Sequence, residues 1–224
     1  MREHARMNQP PARRLTPDRK QRLRNARIKF VMSRSVDPFA LEGMPGEQSW
    51  YVTVTEPGAA GHFAWLAVHR VPLGGGDDLA LQTDAGDTIP GSPVSAVVDG
   101  DVLSPEVAAL LPEHAWGDSF LVVEPIDLDV EWQGLGVGEL VVGVALAELQ
   151  DSDLLAVVEP VPWFLKGRAR TAPAALQRPI FEHLGFRPFQ NGAWLLTDWA
   201  LLHQALERCK QRFDFELPMN ERDD

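Results

Sequence analysis

The second half of the chain alternates apolar runs with short glycine-rich and polar breaks. Residues 120–128 form an apolar run typical of a strand, and residues 139–149 have the length and apolar content of a helix. Residues 154–158 form another short buried strand, and residues 189–196 form a predicted hairpin, because the pair Asn191-Gly192 favours a type I′ turn. This order of elements predicts an α/β domain with strands and helices in one layered fold.

The first half of the chain has a coarser pattern. Strands are predicted at residues 50–55, 62–71, 79–82 and 94–98, between turns rich in Asp and Gly. Ser104 and Pro105 are typical N-cap and first residues of a helix, which is predicted to run to about Leu111.

Composition indicates one soluble domain with tails. The chain has 224 residues, of which 45% are hydrophobic. No apolar run reaches the roughly 18 residues of a membrane span, and the first residues lack the apolar core of a signal peptide. Cys209 is the only cysteine, so an intrachain disulfide is excluded. We therefore expect a cytoplasmic protein that does not insert into a membrane.

Charge divides the chain near residue 30. Residues 1–30 contain 10 Arg and Lys against 2 acidic residues, although the whole chain carries a net charge of −11. We expect residues 1–30 to be a basic N-terminal extension, disordered to about Pro17, with residues 21–30 able to form a basic helix. Residues 31–224 are expected to form a single domain. The extension is explained by a nucleic-acid or ribosome contact, by a solvated tail, or by a true start at Met7 or Met32.

The remainder of the chain is strongly acidic. Its first half is crowded with aspartates, at positions 77, 78, 84, 87, 99 and 101. A negative surface attracts cationic amines and basic peptides and repels nucleic acid. A nucleic-acid partner is therefore not expected for this part of the chain.

A glycine-rich turn at residues 128–138 carries the strongest chemical signal. It joins a predicted strand directly to a predicted helix, so unpaired backbone N–H groups and the positive end of the helix dipole meet there. Gly136 and Gly138 leave room for a phosphate. A dinucleotide-binding motif fails, because Glu139 or Val141 stands where its third glycine belongs. A phosphate-binding P-loop is absent, and a turn that only packs a helix against the sheet is the remaining alternative.

The spacing Gln133-x-x-Gly136-x-Gly138 resembles the pyrophosphate-binding signature of the GNAT superfamily, the Gcn5-related N-acetyltransferases. Leu184-Gly185-Phe186, at the end of a short predicted helix, resembles the family's second motif. The resemblance covers roughly residues 119–198. It implies an α+β fold with a twisted mixed sheet, mostly antiparallel, flanked by helices and splayed beside a cofactor notch.

The resemblance also implies a reaction and a set of site residues. An amine would directly attack the acyl carbon of acetyl-CoA, or of another acyl-CoA, bound as co-substrate without a metal. The strand end would bind the pantetheine, and one of its N–H groups would polarise the thioester carbonyl. The implied pantetheine residues are Ile126, Asp127 and Leu128, and the implied diphosphate residues are Gln133, Gly134, Leu135, Gly136, Val137 and Gly138. The acceptor amine is unidentified, and a homodimer is left open.

An acyl transfer to an amine needs a general base, and a carboxylate on the same strand is the natural candidate. Glu124 is that candidate, with Leu128 as the strand-end catalytic position. Regular alternation would place Glu124 and Leu128 on one face and Asp127 on the other. Pro125 suggests an edge or a bulge within this strand, and Glu159 is a second candidate base.

The chain departs from the family at its usual general acid. Many family members have a Tyr four residues before the second-motif glycine, where this chain has Phe181, and an Asn where it has Ala174. His183 is a substitute acid or a surface histidine, and Cys209 is predicted to be a buried helix residue. These departures keep open a second hypothesis, a non-catalytic acyl-CoA-binding or scaffold protein. The basic extension keeps open a third, a nucleic-acid- or ribosome-associated module.

A basic segment lies between the predicted strand at residues 154–158 and the next helix. Its aromatic residues are candidates for an acceptor wall, and its basic residues for contacts to CoA phosphates, although it is equally explained as a solvated loop. These residues are Trp163, Phe164, Lys166, Arg168 and Arg170.

Overall fold

The computed structural model describes residues 15–34, 48–74, 91–160 and 174–213. The strands are β1 (Arg27–Arg34), β2 (Gln48–Thr55), β3 (His62–Pro72), β4 (Val98–Asp99), β5 (Val102–Leu103), β6 (Ser119–Val123), β7 (Asp127–Leu128), β8 (Asp153–Val158), β9 (Arg187–Pro188) and β10 (Trp194–Leu196). The helices are α1 (Pro17–Arg24), α2 (Gly91–Ser95), α3 (Pro105–Ala108), α4 (Val137–Leu149), α5 (Ala174–His183) and α6 (Trp199–Phe213).

One mixed, mostly antiparallel sheet organises the described residues. Its strands lie in the order β1-β2-β3-β6-β8-β10-β9, and β7 pairs with β3 beyond the end of β6. The pair β6–β8 is parallel, and the other described pairs are antiparallel. Strands β4 and β5 form a separate small hairpin. The fold is therefore an α+β arrangement, as the sequence predicted at this level.

Each face of the sheet covers its own apolar core. On the face that we call the α4 face, strand residues such as Leu66 and Leu121 pack with helices α4 and α6. On the opposite face, which we call the α2 face, Phe120 and Val122 pack with residues of α2 and α3. Helix α4 is buried around most of its circumference, so its uniformly apolar sequence reflects a central position in the fold.

Several predicted elements are confirmed with small changes in their bounds. Helix α4 begins two residues earlier than predicted. In the β9–β10 hairpin, Asn191 and Gly192 both have positive φ, of 54° and 81°, as the Asn-Gly signal indicated. Ser104 caps α3 by accepting a hydrogen bond from the backbone N–H of Val107, although this helix ends at Ala108 instead of near Leu111.

One prediction in the first half needs correction, and another is not tested. Residues 94–98 do not form a single strand, because Gly91–Ser95 is helix α2 and β4 begins only at Val98. Pro93 is compatible with the first turn of a helix, and this start signal outweighs the β-branched valines. The candidate strand at residues 79–82 lies outside the described residues.

The predicted boundary at residue 30 falls inside the domain's sheet. The basic helix is Pro17–Arg24 and not residues 21–30, and Arg27–Arg34 is a strand that pairs with β2 along its whole length. Arg22 joins α1 to the body through Glu56 and Glu131, and its guanidinium lies 5.1 Å from the ring centroid of Trp132. Residues 1–14 lie outside the described part of the chain.

No helix within the described residues, 15–34, 48–74, 91–160 and 174–213, combines the length and the apolar character needed to cross a bilayer.

Candidate functional site

The parallel strands β6 and β8 separate at one end of their pairing. Their register runs from Ser119 beside Asp153 to Val123 beside Val158. Beyond Val123 the chain is irregular for three residues, and it resumes as β7, which pairs with β3 alone among the described strands. We call the resulting gap between β7 and β8 the open end.

Backbone polar groups of β7 point into the open end. The N–H of Asp129 donates to the carbonyl of Phe63 across the β3–β7 ladder, at 2.9 Å. Because N–H groups alternate along a strand, the N–H of Leu128 points away from β3 and toward the gap. The side-chain amide of Gln133 donates to the carbonyl of Leu128 at 2.7 Å, so a side chain takes the place of a neighbouring strand.

A second glutamine lies against the same edge. The side-chain amide of Gln177, on α5, donates to the carbonyl of Ile126 at 2.7 Å. Gln177 is fully buried, and its Oε1 accepts no hydrogen bond within the described structure. A buried acceptor without a partner costs on the order of 1–3 kcal/mol, so this oxygen favours a ligand that brings an N–H group into the gap.

The glycine-rich turn brings the start of α4 to this edge. Gly134 and Gly136 have φ of +70° and +84°, a left-handed conformation in which a side chain would be strained. Gly136 is the N-cap of α4 and offers no side-chain acceptor, so the first N–H groups of the helix remain available to an anion. The sequence-predicted phosphate residues are therefore at a helix N-terminus, as the spacing indicated.

Helices α5 and α6 approach this turn closely. A β-carbon on Gly138 would lie 2.6 Å from Cδ1 of Ile180, so α5 packs directly against the start of α4. A β-carbon on Gly136 would lie 2.7 Å from Nη1 of Arg212, which places a guanidinium of α6 beside the turn. A cation at the positive end of a helix is unfavourable by itself, and an anion bound between the two would relieve the repulsion.

A cavity of about 470 Å³ lies between α4, α5 and α6 on the same side of the molecule. It is lined by residues that include Glu139, Arg187, Arg208 and Arg212. His183, with 61% of its side chain exposed, binds Glu139 through Nδ1 at 2.8 Å and is therefore a surface histidine.

Cys209 lies at the wall of this cavity with little exposure. Burial, reinforced by the charge of Glu139, raises the pKa of its thiol to about 11. The group is consequently a protonated thiol at neutral pH. This confirms the prediction of a buried helix cysteine and argues against a nucleophilic role.

Glu124, directly after β6, ends a series of hydrogen-bonded side chains that begins on β2 and passes through β3. Its Oε1 lies 3.0 Å from Nε2 of His69, and Nδ1 of His69 lies 2.8 Å from the hydroxyl of Ser49. The His69 and Ser49 side chains are buried, whereas 21% of the Glu124 side chain is exposed. The carboxylate of Glu124 is thus held by the buried His69 and is partly accessible to solvent.

The expectation that Glu124 and Leu128 share a face is wrong. Glu124 contacts His69 on the α2 face, whereas Leu128 belongs to the apolar core of the α4 face. Asp127 pairs with Trp65, which shares the face of His69, so Glu124 and Asp127 lie on one face. The irregular segment containing Pro125 holds one residue more than regular pairing with β3 would need. Side chains after it therefore point to the opposite face from the one that regular alternation predicts.

Aromatic and acidic side chains also lie on the α2 face. Tyr51 and Trp65 are partly exposed, and their rings stack at 6.2 Å with an interplanar angle of 25°. Glu159 follows β8 at the level where Glu124 follows β6, because Val123 pairs with Val158. Aromatic faces and carboxylates are groups that bind organic cations.

The position where the sequence resemblance implies a general acid is occupied by an apolar ring. Phe181 is fully buried and packs edge-to-face on Phe186 at 5.3 Å, so this helix position supplies no hydroxyl. The proposed acceptor wall at Trp163 and Phe164 lies outside the described residues, as do Lys166, Arg168 and Arg170.

Four residues of this region have no signal in the sequence motifs. They are Ser49, His69, Gln177 and Arg212. The sequence pattern indicates two neighbouring strands that contain or adjoin Ser49 and His69. It does not give the register between them, so the pairing of these two residues could not be predicted.

Comparisons with known proteins give no assignment. No family model, no curated protein and no solved structure matches the chain. Within residues 15–34, 48–74, 91–160 and 174–213, His, Cys, Asp and Glu side chains do not gather in groups of three that could hold a metal ion.

Proposed function

We propose that the protein is an acyl-CoA-dependent N-acyltransferase with a GNAT-like fold, which transfers an acetyl group from acetyl-CoA to an amine. The observation that carries the proposal is the open end, where β7 leaves β8 and the N-terminus of α4 follows within a few residues. A parallel pair that parts in an otherwise antiparallel sheet supports the family resemblance of the Gln133-x-x-Gly136-x-Gly138 turn.

The polar groups of the open end match the chemistry of coenzyme A. Its diphosphate would bind the first N–H groups of α4, with Arg212 neutralising part of the charge. Its pantetheine arm carries two amides, whose N–H groups suit the unpartnered Oε1 of Gln177. The thioester carbonyl would accept from the N–H of Leu128, which would stabilise the oxyanion that forms during attack.

The reaction needs one proton removed before the attack. Glu124 would take a proton from the ammonium group of the acceptor, and the neutral nitrogen would then attack the thioester carbon. The carbon–sulfur bond breaks as the tetrahedral intermediate collapses, and sulfur leaves with the electron pair. The second nitrogen proton passes through water to the thiolate, which gives an amide and free CoA. Because Phe181 has no hydroxyl, no side chain at that position protonates the thiolate.

One observation favours a second candidate, a protein that binds acyl-CoA without transferring the acyl group. Phe181 and Phe186 form an apolar contact where the resemblance implies an acid. A binding protein would keep the phosphate turn and would show no dependence on Glu124. Steady-state turnover therefore separates the two candidates.

The proposal is tested by calorimetric titration of the full chain with acetyl-CoA. We expect a Kd of roughly 1–100 µM, equivalent to about 5–8 kcal/mol of binding free energy. Gly136→Ala should weaken binding about 10-fold, because the new β-carbon displaces Arg212 and strains the turn. Gly74→Ala is the matched control, since Gly74 has a similar φ of +77° and open space at the other end of β3.

The outcomes are distinct. Binding that weakens in Gly136→Ala and is retained in Gly74→Ala supports acyl-CoA at the glycine turn. Equal affinity in all three proteins would mean that the ligand binds elsewhere. The absence of heat with acetyl-CoA, propionyl-CoA and free CoA would refute both the transferase and the binding-protein candidates.

A further inference from the structure

The hydrogen-bonded set Ser49–His69–Glu124 contains the residue types of a hydrolase triad. In this set, however, the carboxylate is accessible to solvent and the serine hydroxyl is buried. The Ser49 hydroxyl is buried, with 3% of the residue exposed, and His69 is 1% exposed, whereas the carboxylate end is accessible. In a serine hydrolase the hydroxyl must reach the substrate, and here it faces the protein interior. The accessible group is the carboxylate of Glu124, so this hydrogen-bonded set suits Glu124 as a base and does not suit Ser49 as a nucleophile.

The positions of hydrogen in this set follow from its chemistry. An ionised carboxylate can only accept, so Nε2 of His69 carries hydrogen and donates to Oε1 of Glu124 at 3.0 Å. In a neutral ring, Nδ1 is then an acceptor, and the hydroxyl of Ser49 donates to it at 2.8 Å. The sheet register supplies this geometry, because Ser49 lies directly opposite His69 on β2 and β3.

We propose that His69 is the positioning residue of Glu124, and that Ser49 holds the ring of His69 in place through its hydrogen bond at Nδ1. The inference rests on the proposed transferase function. Oε1 is held by His69, while among the described residues none donates a hydrogen bond to Oε2. Oε2 would therefore receive the proton of the acceptor ammonium, and the bond at Oε1 would keep it directed toward the acceptor.

The neighbouring charges leave this arrangement intact. Arg70 follows His69 in the chain but points to the α4 face, where Asp153 neutralises it. Trp65 and Asp127 lie on the same face as His69, nearer the start of β3. No cation of the described residues forms an ion pair with Glu124, so His69 is its described side-chain partner.

Kinetics of three variants test the positioning role, with acetyl-CoA and phenethylamine as probes and thiol release as the readout. His69→Leu should lower kcat between about 10-fold and 100-fold, with the KM for acetyl-CoA within 2-fold, because misdirecting the base affects the chemical step. His69→Gln keeps an amide donor near Nε2 and should recover most of the loss. Val68→Ala is the structural control, since Val68 is a buried neighbour that faces the other core.

A spectroscopic arm does not depend on turnover of the probe. In the full chain labelled with ¹⁵N-histidine, His69 should give the signals of a neutral ring protonated at Nε2, with a slowly exchanging, hydrogen-bonded proton. Ser49→Ala should keep the form protonated at Nε2, because the carboxylate of Glu124 can only accept, but it should speed exchange of this proton, because the ring loses its hydrogen bond at Nδ1. A ring protonated at Nδ1 in the wild type would overturn the inference.

The outcomes separate the inference from the function on which it rests. Loss of kcat in His69→Leu with rescue in His69→Gln, and a normal rate in Val68→Ala, supports positioning. Wild-type turnover in His69→Leu overturns the positioning role and leaves the transferase standing. If the wild type fails to bind acetyl-CoA, the proposed function itself is refuted. Equal losses in both His69 variants, with KM rising in parallel, indicate a purely structural histidine.

Discussion

The two ends of the β6–β8 pair are built in opposite ways. At one end Asp153, whose side chain is fully buried, accepts hydrogen bonds from the Arg70 guanidinium at 2.9 Å and from the Ser119 hydroxyl at 2.9 Å. We call this the sealed end. At the open end the strands part, and the polar groups of β7 are met by glutamine side chains instead of a strand.

At the sealed end, Arg70 and Asp153 each have several hydrogen-bond partners. Arg70 also donates to the carbonyl of Leu149 at the end of α4, at 2.6 Å, and its guanidinium lies 5.0 Å from the ring centroid of Trp50. A buried ion pair with this many partners resists the removal of either member. The open end instead has an acceptor, Oε1 of Gln177, without a partner among the described residues, and the partly exposed carboxylate of Glu124.

His69 and Arg70 show the same contrast at adjacent positions of β3. Each side chain donates to a carboxylate, and the two face opposite sides of the sheet. The carboxylate of Asp153 is closed from solvent, whereas that of Glu124 is accessible. The two contacts therefore differ in the exposure of the acidic partner, which is 21% for the Glu124 side chain and 0% for that of Asp153.

The largest effect is expected at the sealed end. Asp153→Ala should lower the free energy of unfolding by about 3–5 kcal/mol, because it removes the fully buried partner of the partly buried Arg70 guanidinium and of the Ser119 hydroxyl. Urea unfolding measures the change. Asp151→Ala, at an exposed neighbouring residue, should stay within about 0.5 kcal/mol. A loss below 1 kcal/mol in Asp153→Ala would show that the sealed end is not a stabilising cluster.

Removal of the charge at the open end should affect rate and not stability. Glu124→Gln is expected to lower kcat by about 100-fold or more, because the amide cannot accept the ammonium proton. Its carbonyl still accepts from His69, so the unfolding free energy should change by less than about 1 kcal/mol. Initial rates with acetyl-CoA and phenethylamine, together with urea unfolding, measure both. An unchanged rate would favour the binding-protein candidate or Glu159 as the base.

Gln177 should contribute to binding of the co-substrate. Gln177→Met removes the buried acceptor and the donor to Ile126, and it should weaken acetyl-CoA binding about 10-fold in calorimetry, or about 1.4 kcal/mol. Gln190→Met is the matched control, because Gln190 likewise donates to a backbone carbonyl, that of Ala96, in the β9–β10 turn. Equal affinities of the two variants would exclude Gln177 from the site.

The smallest effect is expected for the more exposed ion pairs of α1. Arg22 binds Glu56 and Glu131, which raise the pKa of its guanidinium, but a third of its side chain is exposed. Arg22→Met should therefore cost about 1 kcal/mol or less, and the difference should shrink in high salt. A loss comparable to that of Asp153→Ala would contradict the role that we give to burial.

The sequence predicted the local elements of the site and missed the contacts between them. The glycine turn, helix α4 and the Asn191-Gly192 hairpin follow from local signals, because a positive φ or a helix start is written in adjacent residues. The Ser49–His69 pair depends on the register of two strands, and register is set by the whole sheet.

The face of Glu124 shows why the remaining site could not be predicted. Pro125 indicated an irregularity in the strand but not how many residues it contains. One residue more or less moves every later side chain to the opposite face of the sheet. The strand β1 was likewise not predicted, because its Arg and Lys residues indicated a basic tail. Pairing with β2 outweighs that composition.

Hydrogen exchange of the full chain, with and without acetyl-CoA, tests the central claim most directly. We predict that acetyl-CoA slows exchange in peptides covering residues 126–140, where the Leu128 N–H and the first N–H groups of α4 lie, and leaves peptides of the sealed end unchanged. Protection confined to the cavity between α5 and α6, or no protection at residues 126–140, would contradict acyl-CoA binding at the open end.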